Sequence, residues 1–204
     1  MKVFNYLEYN SIIILSFFFI SLLVLILNRL TKGKSNDLLF STYRSNPFNP
    51  LTYLRLITHI FGHANWQHFT HNFLYILLIG PMIEEKYGSI NLLIMIATTS
   101  LIIGIINSIF TKNKILGASG ITFMLIVLSS FVNFSLNKIP LTFILICIFY
   151  VIDEIKFFGK KDSISHGSHF IGAIAGFVFG YIIFPAWYHT LLISTLLESG
   201  SGSA

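Results

Sequence analysis

Charge is the scarcest commodity in this sequence. Only 10% of its 204 residues are Asp, Glu, Lys or Arg, where a soluble domain carries about a quarter, and that shortage excludes an ordinary water-soluble fold. Cysteine is nearly absent too. The single Cys147 sits within an apolar run, which excludes a disulfide framework and a cysteine-based metal site. A dense basic run is also missing. The 13 Lys and Arg are scattered over loops (Lys32, Lys34, Lys112, Lys114, Lys160, Lys161), so the net charge of +5 reads as loops beside anionic headgroups and not as a nucleic-acid surface. The first apolar block, Ser11–Leu27, lacks a small-residue cleavage site and runs into Asn28 and Arg29, so it reads as a retained helix and not a signal peptide. No internal repeat is evident, which argues against an inverted-repeat transporter.

Hydrophobic residues make up 54% of the chain and mean hydropathy is +0.78, which places it in a membrane. A spanning helix needs roughly 20 mostly apolar residues, and six segments approach that length: Ser11–Leu30, Trp66–Ile83, Ser89–Phe110, Ser119–Leu136, Pro140–Phe158 and Ser165–Trp187. The expected architecture is an all-α integral membrane protein with one domain over residues 1–190 and a C-terminal tail, 191–204, ending in Ser199–Ala204, a stretch of linker composition. Between the first two spans, Thr31–Asn65 mixes apolar patches with Arg44, Pro47, Pro50 and Arg55. It is too broken to span and too apolar to float, so it is expected in the interface, partly helical. The Lys156–Ser165 loop reads as a lid, with Gly159 as its hinge. Three Lys/Arg lie on the side of the termini against ten opposite, and the positive-inside rule then puts the Lys32–Lys34 loop in the cytoplasm.

Polar groups at bilayer depth are costly, and those retained usually face a cavity and work. Gly117-Ala118-Ser119-Gly120 opens the fourth span. Glycines there permit unusual backbone angles and close substrate approach, and helix-start N–H groups can bind an oxyanion; Ser119 could equally be a helix cap. In the sixth span His169 is followed by Gly172, Gly176 and Gly180 on one helical face, a strip that lets another helix approach closely. A neutral imidazole that reaches the Ser119 hydroxyl could take its proton as carbonyl attack begins. Entering the second span, Arg55–Asn72 holds four of the seven histidines. His68 and Asn72 stand one turn apart and project together as two donors. His59, His63 and His68 could instead hold zinc, but no carboxylate accompanies them as a base, there is no HExxH, and Glu84 and Glu85 lie at the far end of the span. No metal and no cofactor is expected. His71 points about 100° away from Asn72, toward packing or the interface.

Together these residues resemble the rhomboid intramembrane serine proteases over nearly the whole chain. The family's motifs appear in order as Arg55 and Thr58 with His63, His68 with Asn72, Gly80 with Glu84 and Gly88, Gly117 to Gly120, and His169 with Gly172 and Gly176. The resemblance implies a six-transmembrane-helix rhomboid-like bundle with a membrane-associated loop between helices 1 and 2, in a bacterial inner (plasma) membrane. It implies Ser119 as nucleophile and His169 as general base, without a third acidic member. The oxyanion hole would be the His68 and Asn72 side chains with the Ser119 backbone N–H. Phe123 would stack on His169, Glu84 would tie the second span to the adjoining loop, and His166 would line the cavity mouth without acting as base. The partners implied are transmembrane protein substrates and the lipid bilayer. The family orientation opposes the positive-inside reading. Two further functions fit the same motifs: rhombosortase-like processing of C-terminal sorting tails, and a non-catalytic rhomboid-like scaffold, which would need neither Ser119 nor His169.

Overall fold

A computed structural model describes residues 8–132, 139–157 and 166–183. They form an all-helical bundle, and two loop residues, Thr42 and Ile115, make an isolated antiparallel bridge. The helices in order are α1 (Ile12–Leu30), α2 (Lys34–Leu39), α3 (Pro50–Thr58) with a 3-10 turn His59–Phe61, α4 (Trp66–Tyr87), α5 (Ser89–Phe110), α6 (Ser119–Ser129), α7 (Leu141–Phe157) and α8 (His166–Phe177), which continues as a π-helical segment, Val178–Ile183. Among them α1 and α5 are long and apolar enough to cross a membrane. Their outward residues, among them Phe19, Leu23, Ile94 and Ile109, are exposed, as an apolar solvent allows.

Local chemistry sets the ends. Helix α1 stops in a Schellman motif: Lys32 takes a left-handed conformation, its N–H bonds Arg29 O, and Gly33 N–H bonds Asn28 O, which satisfies carbonyls the helix leaves open. Asn49 caps α3 ahead of Pro50, and Asn65 caps α4 by accepting from His68 N–H at 2.8 Å. The α4–α5 connection is the single residue Gly88, whose φ of +82° suits glycine alone. Helix α4 runs one turn past the expected Ile83. The reason is Glu84, which is buried and accepts from the N–H groups of Ile13 and Ile14 at 3.0 and 3.1 Å and from Ser89 Oγ at 2.7 Å. It therefore clamps the start of α1 as well as the adjoining turn. Helix α6 is regular to Ser129 and turns at Ser130–Val132, short of the expected Leu136, which lies outside the described residues. The proposed lid hinge, Gly159, also lies outside them.

The Thr31–Asn65 stretch is partly helical, through α2, α3 and the 3-10 turn. Arg55 is buried, and among the described residues no carboxylate pairs with it. Its guanidinium instead donates to Tyr43 Oη and Ser45 Oγ at 2.9 and 2.8 Å and lies over the Tyr43 ring. Thr58 ties this stretch down by donating to Leu39 O. Below it Phe17, Phe61, Phe69 and Phe73 meet edge-on or tilted in the core, geometries that favour aromatic pairs.

Helices α6 and α8 make the closest approach. A Cβ on Gly172 would overlap the Gly120 carbonyl oxygen, one on Gly176 would come within 2.5 Å of Met124 O, and one on Gly180 within 2.7 Å of the Phe131 ring. Backbone thus rests on backbone. Gly172→Ala is expected to force α6 and α8 apart, destabilising the protein by about 1–3 kcal/mol and lowering its unfolding temperature in detergent. Gly167→Ala, where a Cβ meets open space, serves as the control and should cost far less.

Candidate functional site

Three helix starts converge on one cavity of about 580 Å³ whose wall includes His59, His68, His71, Asn72, Lys114, Gly117, Ser119, Ser168 and His169. Its depth comes from α4, where His68 and Asn72 sit one turn apart. Gly117 faces them: a Cβ there would stand 2.6 Å from His68 Cε1 and 3.8 Å from Asn72 Nδ2. Its φ of +122° is a backbone conformation that side chains rarely adopt, and its N–H is anchored on His59 O at 3.0 Å. The chain then enters α6 at Ser119. Ala118, at the N-cap, brings no side-chain acceptor to the first amides of α6, and Ser119 and Gly120 line the cavity at that helix start.

From α8, the His169 ring stacks on Phe123, with centroids 4.4 Å apart and planes 19° from parallel. Phe123 lies one turn below Ser119 on α6, so the stack fixes His169 against the helix that begins with the serine. Ser168, the residue before His169, accepts from Asn107 Nδ2 at 3.5 Å, and both are buried. No motif singles out Asn107 in the sequence; its one signal is an amide in the last turn of a helix that also holds Asn91, Thr99 and Ser100.

His63 lies behind the wall. Its Nδ1 is 3.1 Å from Phe61 O, a carbonyl that can only accept, so Nδ1 carries the proton. The lone pair on Nε2 then accepts from Asn72 Nδ2 at 3.3 Å. This contact fixes which way the Asn72 amide faces, leaving its second N–H for the cavity. It also requires a neutral ring, and burial, with His68 nearby as a lesser cause, lowers the His63 pKa from 6.5 to about 3. Burial likewise lowers His59 to about 4, against the opposing effect of its bond to Arg55 O.

Two residues depart from expectation. His71 is exposed, packs edge-on to Tyr75 and still reaches the cavity wall. His166 is half-buried, 6.3 Å from His169 and edge-on to it, and does not line the cavity. Glu84 sits at the opposite end of α4 from the cavity and acts there on α1, as described above. Among the described residues no three His, Cys, Asp or Glu side chains converge as a metal ion would need, and both His63 nitrogens are already engaged.

The pKa shifts of His59 and His63 have a stability consequence. Both rings titrate near 6.5 when unfolded and far lower when folded, so between those values the unfolded chain binds more protons. Their contribution is complete above about pH 6.5 and is lost as pH falls toward 4 and then 3. The unfolding temperature in detergent is expected to drop through this window. In His63→Asn the drop should be shallower relative to that variant's own neutral-pH value. Equal slopes in both proteins would refute the assignment.

Comparison with known proteins gives two findings. The family model for the rhomboid domain matches residues 50–186. Rhomboid-like protein 11, chloroplastic, of Arabidopsis thaliana is 25% identical over 150 residues, which cover 65% of this chain and 54% of that protein. The chain thus spans about half the length of that relative.

Proposed function

The chain belongs to the rhomboid family, and from that premise we propose that it is an intramembrane serine endopeptidase acting on transmembrane segments of other membrane proteins. The observation that carries this reading is the convergence of Ser119, His169, His68 and Asn72 on one cavity with Gly117 between them. A single rhomboid domain over residues 1–190 would cross the bilayer six times, through α1, α4, α5, α6, α7 and α8, as a multi-pass protein of a bacterial plasma membrane. Residues 191–204 would be a tail outside that domain.

In the proposed reaction, Ser119 Oγ attacks the scissile carbonyl carbon while His169 takes the hydroxyl proton. The carbonyl π pair moves onto oxygen, and the resulting oxyanion is received by the His68 and Asn72 side chains and the Ser119 N–H. Collapse of the tetrahedral species breaks the C–N bond, and His169 returns the proton to the leaving amine. Water then enters, gives a proton to His169 as its oxygen bonds to the acyl carbon, and collapse of this second tetrahedral species breaks the C–Oγ bond, His169 returning the proton to Ser119 Oγ as the carboxylic product leaves. Substrate helices must unwind locally before attack, because intrahelical hydrogen bonds shield their carbonyls. Small or helix-breaking residues near the cut are therefore favoured.

Ser119→Ala and His169→Ala are each expected to lower cleavage of a helical membrane substrate by roughly 10³-fold or more, with expression and unfolding temperature near those of the parent. A fluorophosphonate probe, which reacts only with an activated serine, should label the parent and neither variant. Undiminished cleavage by purified Ser119→Ala protein would eliminate the proposal. An unlabelled parent would point to the scaffold reading.

A further inference from the structure

Charge is distributed unevenly about the cavity. Residues 29–65 and 111–116, which supply His59, Asn65, Lys114 and Ile115 to its wall, carry seven Lys and Arg against Asp37 as their one acid. The bridge between Thr42 and Ile115 holds the two stretches together. Three of these cations are committed to the protein itself: Arg29 lies over the Trp66 ring, Arg44 donates to Ile109 O, and Arg55 is buried among hydroxyls. Lys114 also lies over an aromatic ring, that of Tyr43, 5.8 Å from its centroid, but it differs from them in two respects. It belongs to the cavity wall, and its ammonium holds a carboxylate, Asp37, at 2.7 Å. The side chains of that pair are 46% and 61% exposed, so water competes for both and the bridge is readily exchanged.

We propose that the cationic mouth selects substrates bearing an acidic side chain close to the scissile bond, and that Lys114 receives that carboxylate in place of Asp37. The proposal rests on the protease reading above. Asp37 displays the ligand: a carboxylate on a flexible stem, arriving from outside the cavity. The backbone between Lys114 and Ser119 is pinned at Ile115 by Thr42 and at Gly117 by His59 O. Five residues span at most about 18 Å, so an extended substrate would place its acidic residue within about five positions of the cut.

The test uses the purified full chain in neutral detergent and one transmembrane substrate made with Glu, Gln or Lys at a position flanking the cut on the mouth side. The Glu form is expected to show a kcat/KM about three- to fivefold above the Gln form, and the difference should vanish near 1 M salt, where the screening length is about 3 Å. Asp37→Asn should widen the Glu preference and leave cleavage of the Gln form unchanged, because it removes only the competing carboxylate. Lys114→Gln should erase the preference, and Lys114→Glu should reverse it in favour of the Lys form. Equal rates on all three substrates, or a preference that survives Lys114→Gln, would overturn the proposal while normal cleavage of the Gln form kept the protease reading intact. A rate governed by added anionic lipid and indifferent to substrate charge would assign the rim to headgroups and also overturn it. Failure to cut any of the three forms, with Ser119 unlabelled by the fluorophosphonate probe, would remove the protease reading and this proposal with it.

Discussion

The backbone contact between α6 and α8 is the constraint on which the candidate site depends. Gly172 lies against the Gly120 carbonyl and Gly176 against that of Met124, so the helix axes are set by main-chain atoms and not by side chains that could rearrange. Between helices in an apolar solvent there is little hydrophobic drive, and close van der Waals packing of small residues takes its place. Gly120 directly follows Ser119, and Gly172 lies three residues after His169. One contact therefore fixes both helices within a turn of Ser119 and His169. The Phe123–His169 stack then sets the ring plane. In that division of labour, axis distance comes from the glycines and ring orientation from an aromatic face.

The opposite wall is held by a different device. Asn28, in the last turn of α1, accepts from Asn36 N–H and from Ser35 Oγ; Asn36 in turn donates to the His63 carbonyl, and His63 Nε2 accepts from Asn72. This chain of hydrogen bonds runs from the end of one helix to a side chain of another. Each member is buried and makes a hydrogen bond within the path, although Asn36 Oδ1 has no partner among the described residues. The neutral state of His63 is part of it, since a protonated ring would turn its acceptor into a second donor facing the Asn72 amide. Burial enforces that neutrality, which links the integrity of this wall to pH.

Much of this arrangement was legible in the sequence because glycine and polar residues in an apolar chain have few reasons to be there. The limits of α1 and α5 and the start of α4 at Trp66 followed from hydrophobic length, and the α8 contact face from the spacing of Gly172, Gly176 and Gly180. What escaped was mostly long-range and directional. Glu84 was expected to serve the adjoining turn, but no local pattern reveals that its carboxylate also takes two amides from α1, some 70 residues earlier in the chain. The wall position of His71 depends on how α4 rolls against its neighbours, and a helical wheel cannot supply that angle. His166 shares a helix turn with His169, yet the cavity curves away from it. Asn107 becomes interpretable only once α5 is seen beside Ser168.

The two ends of the bundle answer to opposite electrostatic demands. At the far end from the cavity a single carboxylate, Glu84, meets the positive N-terminus of α1, where helix-start amides and dipole favour an anion; being fully engaged, it is structural. At the cavity end, cations dominate and several terminate on aromatic faces or hydroxyls, partners that hold a guanidinium in place while leaving its charge uncancelled. The potential at the mouth therefore stays positive even though most of its sources are immobile. In a low-dielectric surround such a field extends further than it would in water. In the proposed reaction, an incoming peptide would meet it before it met Ser119, and the same field would favour the developing oxyanion. Anchoring the arginines while leaving Lys114 exchangeable separates the source of that field from the group that can make contact.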